Sequence, residues 1–183
     1  DSEYAVGRSD DQGQSWDPVS VSFSPPAPHD WAVAENGTLF GMTPVDDIAD
    51  SPDSTNLAVR VSRSADGRTW TPHNEGLSDR RARMSSNGNP MSVHDGEVYL
   101  ATGPAVYRSG VQEARWEKLS SRFVYSLEST DIGDGSILYA AVVNDNDVPV
   151  LQKSQDGNRW TTVVDSLGVF EMEYSSQAQV LYL

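Results

Sequence analysis

Ser9-Asp10-Asp11-Gln12-Gly13-Gln14-Ser15-Trp16 is the fullest of three copies of one short pattern. Ser64-Ala65-Asp66-Gly67-Arg68-Thr69-Trp70 and Ser154-Gln155-Asp156-Gly157-Asn158-Arg159-Trp160 are the others, each one residue shorter. A worn fourth copy runs from Ser109 to Trp116, where the Asp and Gly are gone. The tryptophans at 16, 70, 116 and 160 are spaced by 54, 46 and 44 residues. Self-similarity at that period is the mark of stacked repeat units.

Working outward from the tryptophans, each unit has the same grammar. Helical periodicity is missing, and short β-branched and aromatic runs recur between Gly, Asp, Asn and Ser clusters. The third unit predicts strands at 90–94, 97–102, 105–109 and 116–120. Asp95-Gly96 forms its first turn, because Gly supplies the positive φ a tight hairpin needs. In the second strand Val98 and Leu100 take one face, Tyr99 and Ala101 the other. The second unit predicts strands at 29–34, 38–43, 57–64 and 70–73. The fourth predicts them at 123–130, 137–143, 148–154 and 160–164. Four short antiparallel strands make one propeller blade, so the expected fold is an all-β propeller in a single domain, 1–183.

Two half-units remain. The chain opens on a third and fourth strand (3–9 and 16–23) and finishes on a first and second (169–175 and 180–183). Together they make about four blades' worth of strands. The terminal strands could pair to close a small ring, which removes exposed edges. Otherwise the chain is part of a larger ring, or self-association of two copies completes one. The stretch Pro44 to Asn56, with four Asp and two Pro, is expected as an inserted loop between second and third strands.

Composition narrows the function classes. Hydrophobic content is 37% and net charge is -14, and no apolar run reaches the roughly 20 residues that span a bilayer. An acidic surface argues against a nucleic-acid backbone or an anionic membrane as partner. Cysteine is absent, which excludes disulfides, zinc thiolates and cysteine nucleophiles. The three histidines are isolated in the chain, so no metal site and no cofactor are expected. Asn144-Asp145-Asn146-Asp147 and Asp131-Ile132-Gly133-Asp134-Gly135 lack the spacing of a calcium loop and read as turns.

The repeated pattern resembles the Asp box, or BNR repeat, of the sialidase-like superfamily: Ser-x-Asp-x-Gly-x-x-Trp. The matching residues are Ser9, Asp11, Gly13 and Trp16; Ser64, Asp66, Gly67 and Trp70; and Ser154, Asp156, Gly157 and Trp160. Asp and Ser side chains bond backbone groups inside such a turn, and Trp opens the next strand. The box is therefore expected to be a folding staple, with the worn copy as a looser hairpin. The resemblance implies that a ligand site lies on the face away from the boxes, and an extracellular or periplasmic location goes with it.

The same resemblance raises sialidase chemistry, which the chain matches poorly. It has no Arg-Ile-Pro motif, and only Arg80, Arg81, Arg83 and Arg122 precede a first strand. That is not an arginine triad spread over three blades. A two-carboxylate glycosidase is the other catalytic option, with Asp30, Glu128, Glu171 and Glu173 as inner-strand carboxylates. No catalytic residue is assigned, and enzymatic activity is left open. The expected function is recognition of a glycan or protein by Asp30, Trp31, Arg81, Arg83, Asn89, Tyr125, Glu171 and Glu173. The alternative is a glycoside hydrolase of the sialidase-like kind with part of its active site outside this chain.

Overall fold

The structure, a computed structural model, describes residues 6–9, 11, 13–19, 30–45, 57–77, 81–82, 90–102, 105–121, 123–130, 136–166, 172–175 and 177–183. Among these, all regular structure is β-strand, and every strand pairing is antiparallel. The second unit forms β3 (Asp30–Val33), β4 (Leu39–Val45), β5 (Leu57–Ser64) and β6 (Thr71–Pro72), hydrogen-bonded in that order. Between this unit and the next lies β7 (Arg81–Ala82). The third unit forms β8 (Met91–His94), β9 (Glu97–Ala101), β10 (Val106–Gly110) and β11 (Glu117–Ser120). The fourth forms β12 (Val124–Thr130), β13 (Ile137–Val143), β14 (Pro149–Ser154) and β15 (Thr161–Val164). β1 (Val6–Arg8) pairs with β2 (Asp17–Val19), and β16 (Glu173–Ser175) with β17 (Val180–Tyr182), as two separate two-stranded sheets. The four-strand grammar is thus observed. No sheet closes on itself, and among the described residues no ladder joins β17 to β1.

Alternation along the strands places the core between sheets. Phe40, Met42, Val59 and Val61 of the second unit meet Val98, Leu100 and Tyr107 of the third. Tyr99 and Ala101 point the other way and meet Leu127, Leu138 and Ala140 of the fourth. A third cluster joins Ala141 and Leu151 to Met172 and Leu181. The sheets of the third and fourth units are apolar on both faces, as a layer between two neighbours must be. First strands line up along one side: β3 lies against β8, β8 against β12, and β12 against β16. Asp95 (φ 50°) and Gly96 (φ 73°) form the expected tight turn of β8–β9.

The three full hairpins are internally hydrogen-bonded. Ser64 Oγ accepts from the Gly67 amide at 2.9 Å, and Asp66 Oδ1 accepts from the Arg68 and Thr69 amides at 2.8 Å each. Trp70 Nε1 donates to the Gly67 carbonyl at 3.3 Å. Asp156 takes the Asn158 and Arg159 amides at 2.9 Å each, and Trp160 Nε1 donates to Gly157 at 2.8 Å. In the longest copy Ser9 Oγ accepts from Gly13 N at 2.6 Å and Asp11 Oδ1 from Ser15 N at 2.8 Å, while Trp16 Nε1 donates to Gly13 at 3.2 Å. Donors converging on the carboxylates stabilise their charged form. The Ser15 hydroxyl and amide bring Asp11 down to about 2; the Thr69 and Arg68 amides bring Asp66 to about 2. Asp156 is lowered by the Arg159 and Asn158 amides.

Three expectations change. Pro44 and Val45 extend β4 as partners of Val59 and Ala58, so the inserted stretch begins later; 46–56 lies outside the described residues. Arg81 is not in a loop entering a first strand. It belongs to β7, which pairs with β5 at Leu57 and Ala58 while β6 takes Ser62 and Arg63. The fourth strand of this sheet is therefore split. Between the two pieces, the Asn74 side chain accepts from the Val61 amide at 2.8 Å and keeps that ladder position satisfied.

The third change concerns the worn hairpin. It lacks the internal carboxylate net, but the second unit pins it instead. Trp116, 2% exposed, donates Nε1–H to the His73 carbonyl at 2.7 Å, where the full copies use their own glycine. The Trp116 amide donates to Glu75, and Arg63 Nη1 donates to the Glu113 carbonyl at 2.7 Å. The expected looseness is met by cross-sheet bonds.

Candidate functional site

Of the inner-strand carboxylates, Glu128 lies within electrostatic reach of two others, Asp30 and Glu173. Asp30 opens β3 at the end away from the box hairpins. Its Oδ1 accepts from the Trp31 amide at 2.8 Å, and its Oδ2 reaches the next sheet, accepting from Met91 N at 3.0 Å. Glu128 stands on β12 beside Ser129, whose rung carries Leu138 and the box serine Ser154. It pairs with Tyr139 and so faces the joint with β16. Glu173 begins β16 and is exposed. The carboxylates line the first-strand side over much of its depth.

Their electrostatics are coupled. Burial pushes Glu128 up to about 7; the charges of Glu173 and Asp30 add to this, and a hydrogen bond from the Tyr174 amide opposes it. Near neutral pH this carboxyl is divided between acid and anion. Two residues along the same strand, Ser126 is fully buried, and its hydroxyl has no hydrogen-bond partner among the described residues. Sequence reasoning passed over Ser126. Its signal was alternation alone, since it shares its strand face with Glu128.

The other expected site residues do not converge. Trp31 is partly exposed on the face of its sheet away from the core, edge-on to Trp70 at 5.2 Å and 67°. Tyr125 sits where the β12–β13 register shifts, its ring tilted on Phe123 at 4.9 Å. Arg81 is an edge-strand residue. Arg83, Asn89 and Glu171 lie outside the described residues. Asn144 confirms the turn reading of its loop: its side chain accepts from the Asn146 and Val148 amides at 2.9 and 3.1 Å. No group of three metal-ligating side chains occurs among the described residues.

Histidine is used between sheets. His73 is buried between Phe40 and Trp116, with Nε2 3.2 Å from Ser109 Oγ. Burial, then the Arg63 charge, lowers it to about 4, so it is neutral at physiological pH. His94 Nδ1 lies 2.7 Å from Ser136 Oγ and 3.0 Å from Ser129 Oγ, and Nε2 lies 3.3 Å from the Gln155 carbonyl. Two surface depressions occur along the box hairpins, beside Asp66 and beside Asp156. Both carboxylates already serve turn amides there.

No family model matches the chain, and no curated protein matches it. Among solved structures, the chain described as "YCF48 bound to D1 peptide" is similar with a TM-score of 0.56 at 20% identity. The match covers 93% of this chain and 50% of that one, so this chain spans half the length of that β-propeller. With the four-stranded antiparallel sheets stacked first strand to first strand, the fold is that of a β-propeller.

Proposed function

We propose that this chain is a recognition propeller whose ligand is a protein segment carrying Lys or Arg, taken up along the first strands. The observation that carries the reading is the placement of Asp30, Glu128 and Glu173 on the first strands, with Glu128 raised by burial first and then by the charges of Glu173 and Asp30. A cation entering there offsets the burial and the like charges that raise Glu128, so its charged form is favoured on binding. The net charge of -14 steers the same partners toward the molecule. The neighbour with a bound peptide supports a protein ligand. The hydrogen-bond net of the three hairpins supports membership of the Asp-box propellers, with the boxes as staples.

Calorimetry with a Lys/Arg-rich peptide and its Glu/Asp-substituted counterpart tests this. The basic peptide should bind, more weakly with rising salt, and take up or release protons near pH 7 through Glu128. Equal binding of both peptides, or binding of neither beside a clear hit on a glycan array, sinks the reading. A second reading, a glycoside hydrolase, is favoured by one observation: a carboxyl raised to about 7 beside other carboxylates suits a general acid. Turnover of fluorogenic glycosides that Glu128→Gln abolishes would replace the first reading with this one.

A further inference from the structure

We propose that the depression between the second and third units is a subsite for a carboxylate, the side chain of Glu or Asp in a protein segment, received by Arg63. It lies beside the hairpin Ser64 to Trp70 and uses none of the first-strand carboxylates. Its volume is about 360 Å³, and it is lined by Arg63, Thr38, Thr69 and Thr71 of the second unit and Gln112 of the third. Both walls are complete sheets, β3–β6 and β8–β11. The molecule carries its own template for the occupant. Arg63 and Arg108 hold one position in successive units, each just before the serine that opens its hairpin. Across one rung they face an aromatic residue, Phe40 and Tyr99; across the other they face the fourth strand, at Thr71 and Glu117. In the third unit Arg108 lies between two carboxylates, Nη2 donating to Glu117 Oε2 at 2.8 Å and Nη1 to Glu97 Oε2 at 3.3 Å. In the second unit Thr71 stands in the place of Glu117 and Thr38 in that of Glu97, and both line the depression. The cation is kept and its two acids are replaced by neutral residues.

Arg63 is held ready for that role. Its Nη1 donates to the Glu113 carbonyl at 2.7 Å and reaches the Val111 carbonyl at 3.5 Å, which anchors the guanidinium against the third unit's hairpin. Its Nη2 and Nε have no acceptor among the described residues. The residue is half-buried, so part of this donor edge is withdrawn from water. A planar, anchored fork with unmatched donors fits the two oxygens of a carboxylate and loses little freedom on binding. Asp66 does not take that place. Its Oδ1 accepts from the Arg68 and Thr69 amides at 2.8 Å each and from the Ser64 hydroxyl at 3.1 Å, all within its own turn. Its side chain is exposed, so solvent and salt screen its charge. Among the described residues lining the depression Arg63 is the one cation, which matches a singly charged group.

Replacing Arg63 would also release the Glu113 carbonyl, so the test fills the subsite instead. Thr71→Glu supplies a carboxylate where the third unit has Glu117. Thr161→Glu makes the same charge change on the equivalent rung of the fourth unit, Lys153↔Thr161. The parent and both variants are titrated with an end-capped Gly-Glu-Gly-Glu-Gly peptide and with its glutamine counterpart. Proton–nitrogen NMR spectra follow the Arg63 Nε–H and the Gln112 amide. The glutamate peptide should shift both signals saturably in the parent and in Thr161→Glu, and the glutamine peptide should shift neither. Thr71→Glu should keep the parent's amide spectrum away from the depression and bind the glutamate peptide about tenfold or more weakly. An equal response of the parent to both peptides, or no saturable shift, overturns the proposal. So does undiminished binding by Thr71→Glu, or equal weakening by Thr161→Glu.

Discussion

Glycine occupies the same place in three hairpins, and replacing each by alanine separates the cost of its backbone from the cost of its surroundings. Gly13, Gly67 and Gly157 have φ of 86°, 71° and 70°. An L-residue in that left-handed region costs about 1–2 kcal/mol, and this cost is common to all three. The neighbours differ. A Cβ on Gly13 would approach Trp16 at 3.9 Å, and one on Gly67 would approach Leu39 at 3.4 Å, both ordinary contacts. A Cβ on Gly157 would run into the ring of Tyr99 in the adjacent sheet and come within 3.1 Å of Leu119. Tyr99 has little room to yield. It is buried, its hydroxyl donates to Glu97 at 3.0 Å, and Arg108 holds the same carboxylate oxygen at 3.3 Å. Forced overpacking of this kind adds about 1–3 kcal/mol. Gly157→Ala should therefore cost about 2–5 kcal/mol, against about 1–2 for Gly13→Ala and Gly67→Ala. In a chain of this size each kcal/mol lowers Tm by about 2–4 °C. Equilibrium urea unfolding followed by tryptophan fluorescence measures the three losses. Equal midpoint shifts for all three would refute the idea that the fourth unit's glycine is required by its neighbour.

Trp116→Phe removes the donor to the buried His73 carbonyl and should cost about 1–3 kcal/mol by thermal unfolding. Trp70→Phe should cost less, since water reaches its exposed hairpin; the reverse order would contradict the cross-sheet role of Trp116. Glu128 is raised to about 7 from 4.5, so its protonated form favours the folded state. That stability is complete below 4.5 and is lost as pH rises through about 7. Glu128→Gln should therefore raise Tm relative to the parent at pH 8 and lose that advantage at pH 4; a pH-independent difference would count against the coupling. Asp66, lowered to about 2 from 3.8, stabilises the fold above 3.8 and stops doing so as pH falls through about 2. The stability gap between the parent and Asp66→Asn should close over that interval in acid-unfolding curves.

Strand order was legible because its signals are local. Asp95-Gly96 announces a turn within two residues, and the Val98–Ala101 alternation assigns both faces of a strand, so β8 to β15 lie within a residue or so of the expected positions. β7 was not legible. A two-residue edge strand has no period, and its partner Leu57 is distant in sequence. The same reason hid the fate of Trp116: an indole N–H must find a partner, but the His73 carbonyl is 43 residues away and in another sheet. Of the site, the place of the first strands in the repeat picked out Asp30, Glu128, Glu171 and Glu173, of which Glu171 lies outside the described residues, and it passed over Ser126. It did not distinguish a solvated carboxylate from one raised to about 7, because that depends on three strands meeting.

The two ways of anchoring a hairpin tryptophan have different consequences for how such a chain can grow. A unit whose indole bonds its own glycine satisfies that donor within seven or eight residues, so the hairpin's own bonds travel with it wherever it is copied. The third unit has surrendered that independence. Its indole, its backbone amide and its turn carbonyl all answer to His73, Glu75 and Arg63 of the unit before it. These two units can be duplicated or moved only as a couple, and that bond gives an otherwise interchangeable series a fixed order.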